Sequence, residues 1–234
     1  MNATSIFNPC DIVTSTKKTR YISEVDIMRK NLTEIVFILD RSGSMSGLEA
    51  DTIGGYNSLL EKQKKEDGEA IVSTVLFDDT QEVLHDRVDL NKMKAITDKE
   101  YYVRGCTALL DAVGLTIKHI ENIHKYIRKE DVPEHTVFVI TTDGYENASQ
   151  KFDSKTVKDM VKEKTDKCGW EFIFLGANID AVHTASGLGI KADNAATFTA
   201  SSAGVASTYD AMDEAMCCIR GGAPMSAVWK KRVK

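Results

Sequence analysis

The stretch TEIVFILDRSGS, residues 33–44, decides the fold of this chain. Its centre, Ile35–Leu39, is an uninterrupted apolar run, which is typical of a strand buried on both faces of a parallel sheet. The run ends at Asp40, and a polar loop follows it. A second segment of the same kind, Thr136–Thr142, ends at Asp143. Two doubly buried strands that each stop at an aspartate predict a parallel sheet with a polar edge.

Helical patterns alternate with further strands on both sides of these segments. The turn Asp78–Thr80 is too short for a parallel crossover, so the strand after it is expected to be an antiparallel neighbour at the sheet edge. This order predicts an α/β, doubly wound, Rossmann-like three-layer sandwich with a mostly parallel six-stranded sheet and one antiparallel edge strand. We expect strands at residues 33–39, 70–77, 81–90, 136–142, 171–175 and 196–199, and helices near 53–63, 107–128, 154–168, directly after 180, and at 205–219.

The chain of 234 residues is predicted to hold one domain, because no linker interrupts residues 31–221. Residues 1–30 are interpreted as an N-terminal extension. Residues 222–234 are interpreted as a basic C-terminal tail whose lysines and arginine are solvated. Gly54 and Gly55 lie inside the first helix, where each glycine costs about 1 kcal/mol relative to alanine. A close approach of that helix to the sheet would justify them.

Composition narrows the classes of function. A net charge of −5 gives no basic surface for nucleic acid, and the longest apolar run is too short to cross a membrane. Residues 1–20 lack the apolar core of a signal peptide. The five cysteines are odd in number and irregularly spaced, which favours reduced thiols over a disulfide framework or a zinc site. We therefore expect a cytoplasmic protein that binds neither nucleic acid nor membrane.

Three polar segments follow predicted strands or begin a predicted helix, where ligands bind in open α/β sheets. All their donors are oxygens, which favours Mg²⁺, Mn²⁺ or Ca²⁺ over zinc or copper. Three hydroxyls with two carboxylates suit the small octahedral Mg²⁺ ion best. A Ser-Gly-Ser turn that merely caps a helix is the alternative for the first segment taken alone. The predicted metal ligands are Asp40, Ser42, Ser44, Thr107 and Asp143.

These five positions resemble the metal-ion-dependent adhesion site (MIDAS) of von Willebrand factor A domains, which combines Asp-x-Ser-x-Ser with a distant Thr and a distant Asp. The resemblance covers residues 31 to about 220 and suggests an intracellular, stand-alone member. It implies that Ser42 and Ser44 bind the ion directly and that Thr107 does so in the ligand-bound state. Asp40 and Asp143 would hold the coordinating waters and orient the serines. The family often has glycine where this chain has Cys106.

The resemblance also implies a non-enzymatic, metal-dependent protein-interaction module whose partner supplies a Glu or Asp to the ion. Two alternatives stay open. One is a Mg²⁺-dependent phosphohydrolase of the haloacid dehalogenase type, although such an enzyme requires a second aspartate at the position of Ser42. The other is a structural scaffold that the metal ion only rigidifies. Glu146 could close over the ion or be a solvated loop carboxylate, and Asp111 is expected to order the start of a helix. Tyr101 and Tyr102 fit either a binding rim or buried packing. The partner, pathway and oligomeric state are not determined by the sequence.

Overall fold

The computed structural model describes residues 28–223 and 227–233. Most of the N-terminal extension predicted for residues 1–30 lies outside these ranges. The strands are β1 Arg29–Asp40, β2 Glu69–Phe77, β3 Gln81–Asp89, β4 Pro133–Thr142, β5 Glu171–Ala177 and β6 Ala195–Phe198. The helices are α1 Glu49–Gln63, α2 Leu109–Tyr126, α3 Ser154–Cys168, α4 Ala181–Gly187 and α5 Ser202–Arg220.

The six strands form one sheet in the order β3-β2-β1-β4-β5-β6. Only β3 runs antiparallel, and it pairs with β2 at the edge, as the short turn predicts. Along β1, Leu39 lies opposite Leu76 of β2 on one side and Thr141 of β4 on the other. The chain therefore leaves β1 towards one half of the sheet and later enters the other half at β4. This divergence opens a crevice at the carboxyl ends of β1 and β4.

Two hydrophobic clusters cover the two faces of the sheet. Helices α1 and α5 pack on one face, where Phe37 and Tyr56 meet edge to face with ring centroids 5.1 Å apart. Helices α2, α3 and α4 pack on the other face, where Phe138 lies between the rings of Trp170 and Phe172. Side chains of β1 alternate between the two clusters, since successive residues of a strand point to opposite faces. The predicted three-layer sandwich is therefore confirmed.

Local signals account for the ends of the helices. Helix α3 begins where Asp153 accepts a hydrogen bond from the backbone of Thr156, and it stops at Gly169, which adopts a left-handed conformation with φ of 66°. Helix α5 begins after the cap Ser201, whose hydroxyl accepts from the backbone of Gly204, and it ends at Arg220, directly before Gly221. Among the described residues, no helix combines the length and the apolar character needed to cross a bilayer.

The C-terminal segment departs from the expected solvated tail. Residues Ala227–Arg232 form a 3-10 helix, and the indole of Trp229 is buried in the same cluster as α1 and α5. Its Nε1 donates to the carbonyl oxygen of Asp193 at 3.2 Å, and Lys230 donates to the carbonyl oxygen of Ala192 at 2.8 Å. The segment is therefore docked rather than frayed, because one tryptophan among basic side chains contributes enough apolar surface. The side chains of Lys231 and Arg232 are exposed, as expected.

The structure explains the presence of glycine at one of two adjacent positions in α1 but not at the other. A Cβ on Gly55 would lie 2.1 Å from the ring of Tyr209, so this glycine permits close contact between α1 and α5. We expected close contact between α1 and the sheet, but the structure shows close contact between α1 and α5 instead. A Cβ on the neighbouring Gly54 would meet no atom within 4 Å. Gly54 is exposed, and nothing in the structure requires glycine there.

These adjacent positions make a matched pair for a stability measurement. Gly55→Ala should lower the free energy of unfolding by about 1–3 kcal/mol, because the buried ring of Tyr209 must shift. Gly54→Ala should raise it by up to about 1 kcal/mol through helix propensity alone. Urea unfolding of both variants would check this. Equal effects of the two substitutions would contradict the described α1–α5 contact.

Candidate metal centre

The five predicted ligands lie at the crevice between the carboxyl ends of β1 and β4. Asp40 is the last residue of β1, and the loop after it carries Ser42 and Ser44, the latter in a 3-10 turn at residues 43–45. Thr107 stands two residues before α2, and Asp143 directly follows β4. Segments from three distant parts of the chain thus converge at one edge of the sheet.

The three hydroxyl groups form a chain of short contacts. Ser42 Oγ lies 2.9 Å from Ser44 Oγ and 2.9 Å from Thr107 Oγ1. Neighbouring ligands of an octahedral ion with Mg–O distances of 2.0–2.1 Å are about 2.9 Å apart, so this spacing also fits an edge of Mg²⁺ coordination. Ser42 and Thr107 are buried, whereas Ser44 is exposed. The hydroxyl groups therefore fit the small ion by both chemistry and spacing.

Asp40 is held by hydrogen bonds on both carboxylate oxygens. Oδ1 accepts from the backbone N–H of Ser42 at 2.6 Å, and Oδ2 accepts from the hydroxyl of Thr142 at 2.6 Å. Its carbonyl oxygen accepts from the buried hydroxyl of Tyr101 at 2.5 Å. These contacts fix both the backbone and the side chain of Asp40 before any ion binds.

The two carboxylates occupy an electrostatically unfavourable environment. Burial raises the pKa of Asp40 above its ordinary value, although hydrogen bonds from Thr142 and Ser42 act to lower it. Burial also raises the pKa of Asp143; the amide of Asn178 opposes this rise and the charge of Asp40 adds to it. A cation between the two groups would remove both the repulsion and part of the desolvation cost.

Gly144 leaves space beside the hydroxyl groups. A Cβ at this position would lie 2.7 Å from Thr107 Oγ1 and 2.9 Å from Ser44 Oγ. Its backbone N–H donates to Thr142 Oγ1 at 3.1 Å, so the glycine is held against the site. Any larger residue would intrude between two of the predicted ligands. The sequence placed Gly144 next to Asp143 but gave no reason for it.

Two backbone hydrogen bonds join the loop after β1 to the loop before α2. Gly43 N donates to Gly105 O at 3.1 Å, and Arg104 N donates to Arg41 O at 2.8 Å. These bonds set the position of Thr107 relative to the serines. Gly105 has a φ of +67°, and a Cβ there would lie 2.3 Å from the carboxylate of Asp79, so glycine is required for this crossing.

Asp78, the first residue after β2, binds side chains of both loops. Its Oδ2 accepts from Arg41 Nε at 2.9 Å and from Arg104 Nε at 2.7 Å. Its Oδ1 accepts from the backbone and hydroxyl of Thr80, both at 2.8 Å. Burial acts to raise the pKa of Asp78, but the hydrogen bonds from Arg104 and Thr80 outweigh it, and the pKa is lowered. Asp78 is therefore an ionised carboxylate that links the two loops.

Arg41, which separates Asp40 from Ser42, is fully buried. Besides Asp78, its guanidinium contacts Glu82 at 2.8 Å, and its Cζ lies 5.5 Å from the ring centroid of Tyr102. Sequence reasoning missed Arg41 and Asp78 because neither occupies a ligand position of the motif. The available signal was the polar turn that begins at Asp78, at the same sheet edge as the predicted site.

The structure assigns Glu146 to neither of its expected roles. Its carboxylate accepts from the backbone N–H of Leu110 at 2.8 Å, in the first turn of α2, and from the backbone of Ala148 and Ser149. Glu146 is thus engaged in ordering its own loop and the start of α2. Asp111 accepts from the backbone of residues 150–152, so it anchors that loop to the helix, in agreement with a structural role.

The remaining candidates are two histidines and two tyrosines, and their surroundings differ. His119 contacts Asp86 at 2.9 Å, and His124 contacts the buried Glu34 at 2.5 Å, so the two histidines have separate partners. Tyr101 is buried, whereas Tyr102 is exposed. Within residues 28–223 and 227–233, no group of three or more His, Cys, Asp and Glu side chains is arranged to hold a metal. The crevice has two carboxylates and three hydroxyl groups, and it is the candidate metal centre because these are the residues of the predicted motif.

No family model matches the sequence, and no curated protein matches it either. Solved structures do match the fold. The vWF domain of the type V pili tip protein Mfa5 from Porphyromonas gingivalis is 13% identical, with a TM-score of 0.58 over 82% of this chain and 96% of that one. A von Willebrand factor type A structure from Catenulispora acidiphila is 13% identical, with a TM-score of 0.55 over 81% of this chain and 43% of the other.

Proximal thread matrix protein 1 from the mussel byssus, solved with a zinc-occupied MIDAS motif, is 15% identical, with a TM-score of 0.56 over 82% of this chain and 47% of that one. This chain thus spans less than half the length of the mussel and Catenulispora chains. At these identities the likeness concerns the course of the backbone. The chain therefore has the Rossmann-like α/β fold of von Willebrand factor A domains.

Proposed function

We propose that this protein is a non-enzymatic protein-interaction module that holds one Mg²⁺ ion in the crevice and uses it to bind an acidic side chain of a partner. The observation that carries the proposal is the cluster of three hydroxyl groups, with oxygen spacings of 2.9 Å, beside two crowded carboxylates. The ligands are those that the motif predicts: Asp40, Ser42, Ser44, Thr107 and Asp143.

The proposed roles follow from how the groups are held. Ser42, Ser44 and Thr107 bind the ion through their hydroxyl oxygens. Asp40 already accepts hydrogen bonds on both oxygens, which favours a role in orienting the serine loop and a coordinating water. Asp143 has one long contact, 3.4 Å to the amide of Asn178, and so retains capacity for water or metal.

Neutral hydroxyl ligands leave most of the positive charge on the ion. Such an ion favours an anionic ligand at its open position, and a partner's Glu or Asp supplies one. The mussel structure with a zinc-occupied MIDAS supports a divalent ion at this edge of the fold. The contacts of Asp40 disfavour the phosphohydrolase alternative, because a nucleophilic carboxylate needs an oxygen that can reach a substrate, and Asp40 is 1% exposed.

Ser44→Ala is the sharpest test of the metal centre. Ser42 and Thr107 are buried, so their substitution also changes packing, whereas Ser44 is exposed and its hydroxyl contacts Ser42. Isothermal titration of EDTA-stripped protein with Mg²⁺ and Mn²⁺ should reveal one site in the wild type. Ser44→Ala should weaken binding at least tenfold because one of the direct ligands is lost.

Ser46→Ala is the matched control, since Ser46 is exposed in the same loop but is not a predicted ligand. It should bind Mg²⁺ as the wild type does. At a Mg²⁺ concentration 100 times the dissociation constant, the free energy of unfolding should rise by about 2.7 kcal/mol in the wild type and in Ser46→Ala. Equal affinity of Ser44→Ala and Ser46→Ala would refute the ligand assignment.

Gly144→Ala tests the space beside the hydroxyl groups. The added methyl group would press on Thr107 Oγ1 and Ser44 Oγ, so metal affinity should fall at least tenfold while the fold is retained. Gly43→Ala is its control, because a Cβ there would meet only the carbonyl oxygen of Gly105, at an ordinary 3.5 Å. The affinity of both variants for Mn²⁺ would be measured by titration monitored with electron paramagnetic resonance. Undiminished affinity in Gly144→Ala would place the ion elsewhere.

A partner is needed to separate the interaction module from the metal-rigidified scaffold. Capture of an acidic ligand that is lost in EDTA and in Ser44→Ala supports the interaction module. Capture that is indifferent to both treatments supports the scaffold.

A further inference from the structure

Arg104 lies on the rim of the candidate metal centre, three positions before Thr107 in the same loop. Its backbone N–H donates to the carbonyl oxygen of Arg41, so the residue is fixed against the loop that carries the serines. Its side chain is 45% exposed, in contrast to that of Arg41, which is fully buried. Arg104 is therefore a cation available to a ligand that approaches the site.

The guanidinium of Arg104 is held in place before any ligand binds. Its Nε donates to Asp78 at 2.7 Å, and Nη1 makes a long contact of 3.4 Å with the hydroxyl of Tyr102. The Cζ lies 5.5 Å from the ring centroid of Tyr102, which is within the range of a cation–π contact. Because Asp78 accepts from Nε and Tyr102 accepts only one long contact, Nη2 and the second N–H of Nη1 can donate to an incoming anion.

The same rim carries exposed aromatic side chains. Tyr102 is 43% exposed beside Arg104, and Tyr145 is 61% exposed in the loop that follows Asp143. Tyrosine and arginine are enriched at the centres of protein–protein interfaces, where they provide large contact areas and hydrogen bonds. A surface of this composition around a cation site favours a protein segment as the ligand.

We propose that Arg104 is a specificity-determining residue that binds a second acidic side chain of the partner, next to the one that occupies the metal. The ligand would be an acidic peptide segment with two carboxylates, one for the ion and one for the terminal nitrogens of Arg104. This inference rests on the proposed function and adds the requirement for a second charge. A fixed guanidinium loses little conformational entropy on binding, which favours a measurable gain.

The experiment uses the full chain with synthetic ten-residue peptides of glycine and serine that contain one glutamate, or two glutamates separated by zero to three residues. Titrations followed by nitrogen-15 chemical shifts, which detect millimolar dissociation constants, would be run in Mg²⁺ and in EDTA. We expect at least one two-glutamate spacing to bind about three- to tenfold more tightly than the single-glutamate peptide in Mg²⁺. Arg104→Gln should abolish that gain.

Three comparisons make the test specific. Because Arg104 also helps to link the two loops through Asp78, the gain from the second glutamate is expressed as a ratio to the single-glutamate affinity of the same variant at saturating Mg²⁺. A general weakening of the metal site by Arg104→Gln would lower both affinities and leave this ratio unchanged, whereas loss of the proposed contact would lower the ratio. Arg104→Lys, which keeps the charge but lacks the fork, should retain only part of the gain. Arg128→Gln removes an exposed arginine that is not near the crevice and is paired with Asp131, and it should retain the whole gain.

The two levels of the proposal fail in different ways. The role of Arg104 is refuted if the second glutamate adds no affinity at any spacing, or if its gain survives Arg104→Gln. In that case, Mg²⁺-dependent binding of the single-glutamate peptide still supports the proposed function. If neither peptide class binds, or binding is the same in EDTA, the metal-dependent function is refuted and the role of Arg104 with it.

Discussion

The pairing of β1 with β4 is the constraint from which the rest of the site follows. Both strands are buried on both faces, so a slip of one residue would transfer each side chain to the opposite core and disrupt the packing of both cores. This register puts Leu39 opposite Thr141, and so brings the aspartates that end the two strands to the same edge. The crevice, the repulsion between Asp40 and Asp143 and the position of Gly144 all depend on that alignment.

A second constraint acts on the loops rather than on the sheet. Burial of Arg41 would be costly without partners, since an unpaired charge in the interior is strongly destabilising. Asp78 compensates it, and the same carboxylate oxygen binds Arg104. The serine loop and the threonine loop are thereby joined to the end of β2. Together with the backbone hydrogen bonds from Gly43 to Gly105 and from Arg104 to Arg41, this link accounts for how two short loops hold three hydroxyl oxygens at spacings that suit a small ion.

The electrostatics of the crevice give the two proposals a common basis. Burial raises the pKa of Asp40 and of Asp143 beside neutral hydroxyl groups, so a divalent cation bound there would offset the cost of holding both carboxylates ionised. If both carboxylates act through water, as proposed, the ion would keep much of its charge on the side where Arg104 and two tyrosines are exposed. Under the proposed function, the same ion would couple the stability of the domain to the binding of an anionic protein ligand.

The sequence by itself determined the order and type of the elements, the antiparallel edge strand and the list of predicted ligands, because hydrophobic periodicity and a spaced motif are local signals. It did not determine that Trp229 docks on the core, that Glu146 orders its loop and the start of α2, or that Asp78 joins Arg41 to Arg104. Each of these roles depends on which residues distant in the chain become neighbours. A polar side chain acquires its function from its partners, and only the packing of β1 against β2 and β4 decides what those partners are.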